Sequence, residues 1–131
     1  MGAWGIGHFE NDDAGDWAWQ LEEEKSLAPI AMAFDEVDAS HDYLDAGIAC
    51  MALAAAESVA AIIGNEAPDL PESVAAVAAG LRGKADSNLI SKARAAVEKI
   101  GADSELRELW EETDNFEEWQ AKVADLIERL K

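Results

Sequence analysis

The stretch from Leu44 to Ile63 constrains the fold more than any other part of this chain. Leu44, Ile48, Met51, Ala55, Val59 and Ile62 keep the 3.6-residue period of a helix, and Leu53, Ala56 and Ala60 make its opposite side apolar as well. A helix that is apolar all round cannot lie on a surface; it must be enclosed by other helices. The segment is long enough to invite a membrane reading, but it is rich in alanine and carries Glu57 and Ser58, so a buried helix suits it better.

The flanking segments supply the enclosure. Asn11 or Asp12 can cap a helix over about residues 12–24, where Asp12, Asp13 and Asp16 complement the positive end of the helix dipole and Trp17 and Leu21 share a face. Ser26 precedes a second, short helix with Pro29 in its first turn. Gly64 and Asn65 close the central helix, and Pro68 and Pro71 frame a linker before a small alanine-rich helix at Glu72 to Leu81. Ser87 opens a helix to Ile100 that Gly101 closes, Ser104 opens one to about Glu112, and Asn115 opens the last. In that last helix Phe116, Trp119, Val123, Leu126, Ile127 and Leu130 form the inward stripe. No segment shows the period of two that marks a strand. The expectation is an all-α, irregular bundle of six or seven helices in one domain over residues 1–131, with residues 1–10 an irregular glycine- and aromatic-rich segment.

Charge bounds the partners. The chain carries 28 acidic side chains against 10 basic ones, a net charge of −18, and sixteen of the acids lie in residues 1–73 beside a single base, Lys25. Such a field repels phosphate backbones and anionic lipids and attracts basic proteins, polyamines or cations. Nucleic acid and membranes are therefore not expected as partners. The same excess of carboxylate also serves simply to keep a protein soluble. Cys50 is the only cysteine, which excludes an intrachain disulfide and fits a reducing, cytoplasmic setting.

The search for chemistry yields little that is specific. Gly2, Gly5 and Gly7 do not form a phosphate cradle, because the helix that follows opens with Asp12, Asp13 and Asp16, which would repel a phosphate. Glu10, Asp12 and Gly15 align with the first, third and sixth positions of a calcium loop, but Ala14 and Leu21 then occupy ligand positions. His8 and His41 belong to no zinc-ligand spacing, and Cys50, inside the apolar helix, reads as a core residue. No catalytic residue, metal ligand or cofactor is expected.

Three features remain as candidates for binding or structure. Glu57 interrupts an apolar helix; if buried it needs donors, for which the indoles of Trp4 and Trp17 and the free amides of the glycine-rich N-terminus are at hand. Ordering that segment is its simpler role, and a groove beneath the segment, using Glu57, Trp4 and the Asp12 to Asp16 cluster, is the functional alternative. Trp19 points about 160° away from Trp17 on the same helix, so it meets another helix or stands exposed among carboxylates as a partner's anchor.

The opening Met-Gly-Ala-Trp-Gly-Ile-Gly-His-Phe-Glu-Asn-Asp-Asp-Ala, followed by Asp16-Trp17 and Leu21, resembles the start of a bacterial family of small proteins catalogued as domain of unknown function 4259. Ala52 to Glu57 is similar to that family's central helix, and Ser104 to Trp110 to its late motif. His8 stands where a smaller or turn-forming residue would be expected. The resemblance implies kinship and carries no activity or catalytic residues with it. Size, acidity and the lack of a catalytic signature then point first to a non-enzymatic protein that binds a basic partner, as an inhibitor or immunity protein would, and second to a small-molecule or metal-ion binding or enzymatic domain with a groove near Glu57 and the N-terminal segment.

Overall fold

The computed structural model describes residues 5–40 and 43–131. Among them are seven helices and no strand: α1 (Asp12–Glu24), α2 (Ala28–Asp38), α3 (Ala46–Ile62), α4 (Glu72–Gly80), α5 (Ser87–Ala102), α6 (Glu105–Glu111) and α7 (Phe116–Arg129). The expected all-α bundle is what forms, with every other helix packed against α3. The alanines explain how one helix serves six neighbours. Ala49, Ala52, Ala54, Ala55, Ala56, Ala60 and Ala61 are all buried, and their small side chains let helix axes approach from every side, while Leu53, Val59 and Ile62 fill the larger gaps. None of the seven helices is long and apolar enough to cross a membrane.

Local chemistry sets the helix ends. Asn11 caps α1, its Oδ1 accepting from Ala14 N at 2.8 Å, and Asp45 caps α3 through Gly47 N at 2.8 Å and Ile48 N at 3.2 Å. α3 ends in a Schellman motif: Asn65 N donates to Ala60 O and Gly64 N to Ala61 O, with Gly64 at φ +94° in a conformation that glycine adopts without steric cost. Ser104 caps α6 as expected, accepting from Arg107 N at 3.0 Å.

Three boundaries differ from the sequence reading. α3 begins at Ala46 behind the Asp45 cap, so Leu44 is buried but lies outside the helix. Asp86 rather than Ser87 caps α5, because its carboxylate reaches Leu89 N at 2.8 Å. Gly101 does not close α5; the helix continues through Ala102. A Cβ at Gly101 would lie 2.9 Å from Val123 Cγ1, so this glycine marks the crossing of α5 and α7 rather than a helix end.

The tryptophans divide between core and surface. Trp17, Trp110 and Trp119 are buried, with the Trp110 and Trp119 rings stacked at 6.5 Å between centroids, whereas Trp19 is 65% exposed. Trp4 and His41 lie outside the described residues.

Candidate functional site

Residues 7–11, leading into α1, fold back on themselves. Glu10 N donates to Gly7 O at 3.0 Å, Gly7 N donates to the Glu10 carboxylate at 3.1 Å, and Asn11 Nδ2 reaches His8 O at 3.4 Å. Gly5 and Gly7 pass so close to the Glu10 carboxylate that a Cβ at either would displace it. This closed turn, built by residues that the α1 cap already holds in place, turns the His8 side chain inward until only 2% of it is exposed.

There it faces Glu57, at the middle of α3. His8 Nε2 lies 3.9 Å from Glu57 Oε2, too far for a hydrogen bond, and has no hydrogen-bond partner of its own among the described residues. Burial lowers the imidazole pKa below its ordinary 6.5; the Glu57 carboxylate and the Lys122 backbone oppose that shift, and the positive charges of Lys122 and Arg129 add to it. The ring is therefore neutral near pH 7, with a desolvated nitrogen left unpaired.

Glu57 is buried, as its place in α3 requires, and among the described residues its donor is neither the Trp17 indole nor an amide of residues 5–9 but a guanidinium. Arg129, in the last turn of α7, meets it in a fork, Nη1 to Oε1 at 2.8 Å and Nη2 to Oε2 at 2.9 Å. Trp17 Nε1 is directed elsewhere, to Pro29 O at 3.3 Å. Arg129 also donates through Nε to Asp125 at 2.8 Å and through Nη1 to Asn65 O at 3.3 Å, and Asn65 Nδ2 returns a bond to Arg129 O at 2.9 Å. Glu57 foremost holds the guanidinium in its charged form, against the opposing effect of burial. The signal for this partner was present: a lone acid in an apolar helix demands a cation, and Arg129 lies between the inward residues Leu126 and Leu130.

A cavity of about 280 Å³ opens at this meeting point. His8, Phe9 and Glu10 form one wall, Glu57 and Arg129 another, with Ala67, Pro68, Asp69 and Leu70 of the α3–α4 connection and Lys122 and Asp125 of α7 completing it. Lys122 Nζ pairs with Asp69 at 3.4 Å at the exposed rim. The volume is near the lower end of known ligand sites, roughly 300 to 1,000 Å³.

The other sequence candidates lie apart from this cavity. Asp12, Asp13 and Asp16 are exposed on the first turns of α1, and Trp19 stands on the same exposed side. Among the described residues, no group of three or more His, Cys, Asp or Glu side chains is arranged to hold a metal ion. Cys50 is buried in α3, and desolvation, with Asp13 and Asp45 nearby, pushes its thiol up to about 12, so it is a poor nucleophile.

No curated protein and no solved structure matches the chain. A family model does, over residues 2–122, a span that takes in the N-terminal turn, all of α3 and Lys122, but stops before Asp125 and Arg129. The chain belongs to the family described as Domain of unknown function (DUF4259).

Proposed function

We propose that this protein binds a small polar ligand in the cavity between the His8 turn, α3 and α7. The supporting observation is that His8 lines this polar cavity while its buried ring nitrogen Nε2 has no partner among the described residues. An unpaired buried polar atom costs about 1 to 3 kcal/mol, a cost that a bound ligand removes. Glu57 and Arg129 support the reading in a different way. Their fork fixes the charged wall against which a ligand would rest, so the site is formed in advance of binding. The test is a thermal-shift survey of amines, amino acids, carboxylates, sugars and nucleosides on the wild-type protein and on His8→Phe. A compound that raises the Tm of the wild type by several degrees and leaves His8→Phe unmoved supports the reading; a survey with no such compound argues against it.

Trp19 favours a second reading, in which the protein docks a basic partner, as an inhibitor or immunity protein does. The indole is 65% exposed, and Asp16 and Glu23, one turn to either side of it on α1, are exposed too. An aromatic anchor ringed by carboxylates suits a cationic protein surface. This use of α1 and the cavity beside His8 are on separate surfaces and do not exclude one another. Neither reading requires a catalytic step. The absence of a strong nucleophile at Cys50 fits a binding role, and a cytoplasmic setting for it agrees with the lone, reduced cysteine.

A further inference from the structure

We infer that the ligand of the His8 cavity is a compact organic cation, an aliphatic amine or diamine, an inference that rests on the cavity being a binding site. The lining holds four carboxylates, Glu10, Glu57, Asp69 and Asp125, against two cations, Lys122 and Arg129, while His8 is neutral. Arg129 is fully committed, and Lys122 is held by one exposed contact at the rim. Arg129 is taken up by Glu57, Asp125 and Asn65 O, and Lys122 by Asp69.

The hydrogen-bonding capacity left over is almost all acceptor capacity. Glu57 Oε2 and the unpaired His8 Nε2 sit 3.9 Å apart at the buried end. Two acceptors at that separation suit one ammonium group, which, once the His8 ring turns toward the cavity, donates to the carboxylate and to the imidazole together when Nδ1 carries the ring proton. At the rim, Asp69 and Asp125 are more than half exposed and each has one oxygen without a donor among the described residues, so a second ammonium finds acceptors there. Phe9, Pro68 and Leu70 in the lining offer apolar surface to a short methylene chain. An anionic ligand would meet four carboxylates with only Lys122, at the rim, to receive it, and a sugar would leave that charge uncompensated.

Three isosteric probes separate these cases: putrescine, butane-1,4-diol and succinate. Each is titrated calorimetrically into the full-length protein while the ring ¹⁵N signals of His8 are followed by NMR. Putrescine is expected to bind saturably, to move the His8 Nε2 signal, and to weaken at least tenfold in His8→Phe. Asp69→Asn, an exposed rim change that leaves the core intact, is expected to weaken it at least threefold. Asp12→Asn/Asp13→Asn/Asp16→Asn, away from the cavity, is expected to leave it unchanged. Succinate or the diol binding with a shift of His8 overturns the cationic class while leaving the cavity as a binding site. Putrescine binding that follows the triple change on α1 rather than Asp69→Asn, or a His8 signal that none of the three probes moves, overturns the inference. A negative result for the three probes alone leaves the broader survey on His8→Phe to decide the cavity reading.

Discussion

Arg129 closes on Glu57 through two parallel hydrogen bonds of 2.8 and 2.9 Å, joining the last turn of α7 to the middle of α3 across 72 residues of sequence. Breaking one side of a buried ion pair leaves the other uncompensated, whereas replacing both by apolar side chains of similar size is often close to neutral. Glu57→Ala is therefore expected to destabilise by about 2 to 4 kcal/mol, moderated because Arg129 keeps Asp125 and Asn65 O. In a cycle of wild type, Glu57→Met, Arg129→Met and Glu57→Met/Arg129→Met, the double change is expected to lose clearly less than the sum of its two single changes. Chemical denaturation of the four proteins measures the coupling; additive losses would show that the fork contributes nothing of its own.

The neutral His8 makes stability depend on pH. The unfolded chain protonates this imidazole near its ordinary value of about 6.5, while the folded chain does so only at lower pH, because burial outweighs the pull of Glu57. Between the two values the unfolded state holds more protons, so stability is complete above about pH 6.5 and declines as pH falls through and below it. His8→Phe is expected to flatten that part of the curve. The difference between the two proteins, measured from pH 7.5 to 5, isolates His8 from the other histidine; parallel curves would mean that the ring is not desolvated in solution.

Residues 11–40 tell what was legible in the sequence and what was not. A cap at Asn11 or Asp12, the inward Trp17 and Leu21 and the turning of Trp19 away from Trp17 follow from local spacing, because capping and helix period are decided within a few residues; that Trp19 meets solvent rather than another helix does not. The Gly64 and Asn65 ending of α3 follows from local spacing too. Local pattern marks Glu57 as an acid in need of a donor and Arg129 as a cation between inward residues, but their pairing, and the arrival of His8 beside them, depend on how distant helices cross. The misread end of α5 has the same cause: a glycine near a helix end and a glycine beneath a crossing helix look alike until Val123 is placed next to Gly101.

That crossing can be tested. Gly101→Ala improves helix propensity by about 1 kcal/mol, but it sets a methyl 2.9 Å from Val123 Cγ1, and overpacking of this kind typically costs about 1 to 3 kcal/mol. Net destabilisation is expected, and Val123→Ala is expected to cost less in the Gly101→Ala background than in the wild type. Equal costs in both backgrounds would show that α5 and α7 separate easily.

The acidic face of α1 has its own signature. Association of a basic protein with Asp12, Asp13, Asp16 and Trp19 is expected to be fast at low salt and to slow as ionic strength screens charges beyond about 8 to 10 Å. Surface plasmon resonance with a basic protein recovered by low-salt pull-down measures this directly. Changing the three aspartates to asparagine should lower the association rate, and Trp19→Ala should raise the dissociation rate. A partner whose kinetics ignore both changes would bind elsewhere.

The enclosure of α3 by all six other helices also governs how the chain acquires its structure. α1 and α2 precede α3 in sequence and α4 to α7 follow it, so no fragment that ends before the last helix can shield it fully. During synthesis a largely apolar helix of 17 residues waits uncovered while the second half is made, which favours transient association with a chaperone. Once α7 docks, loosening any one helix exposes the shared centre to water. Partial opening then gains little chain entropy for the apolar surface it wets, and unfolding proceeds as a single all-or-none event rather than helix by helix.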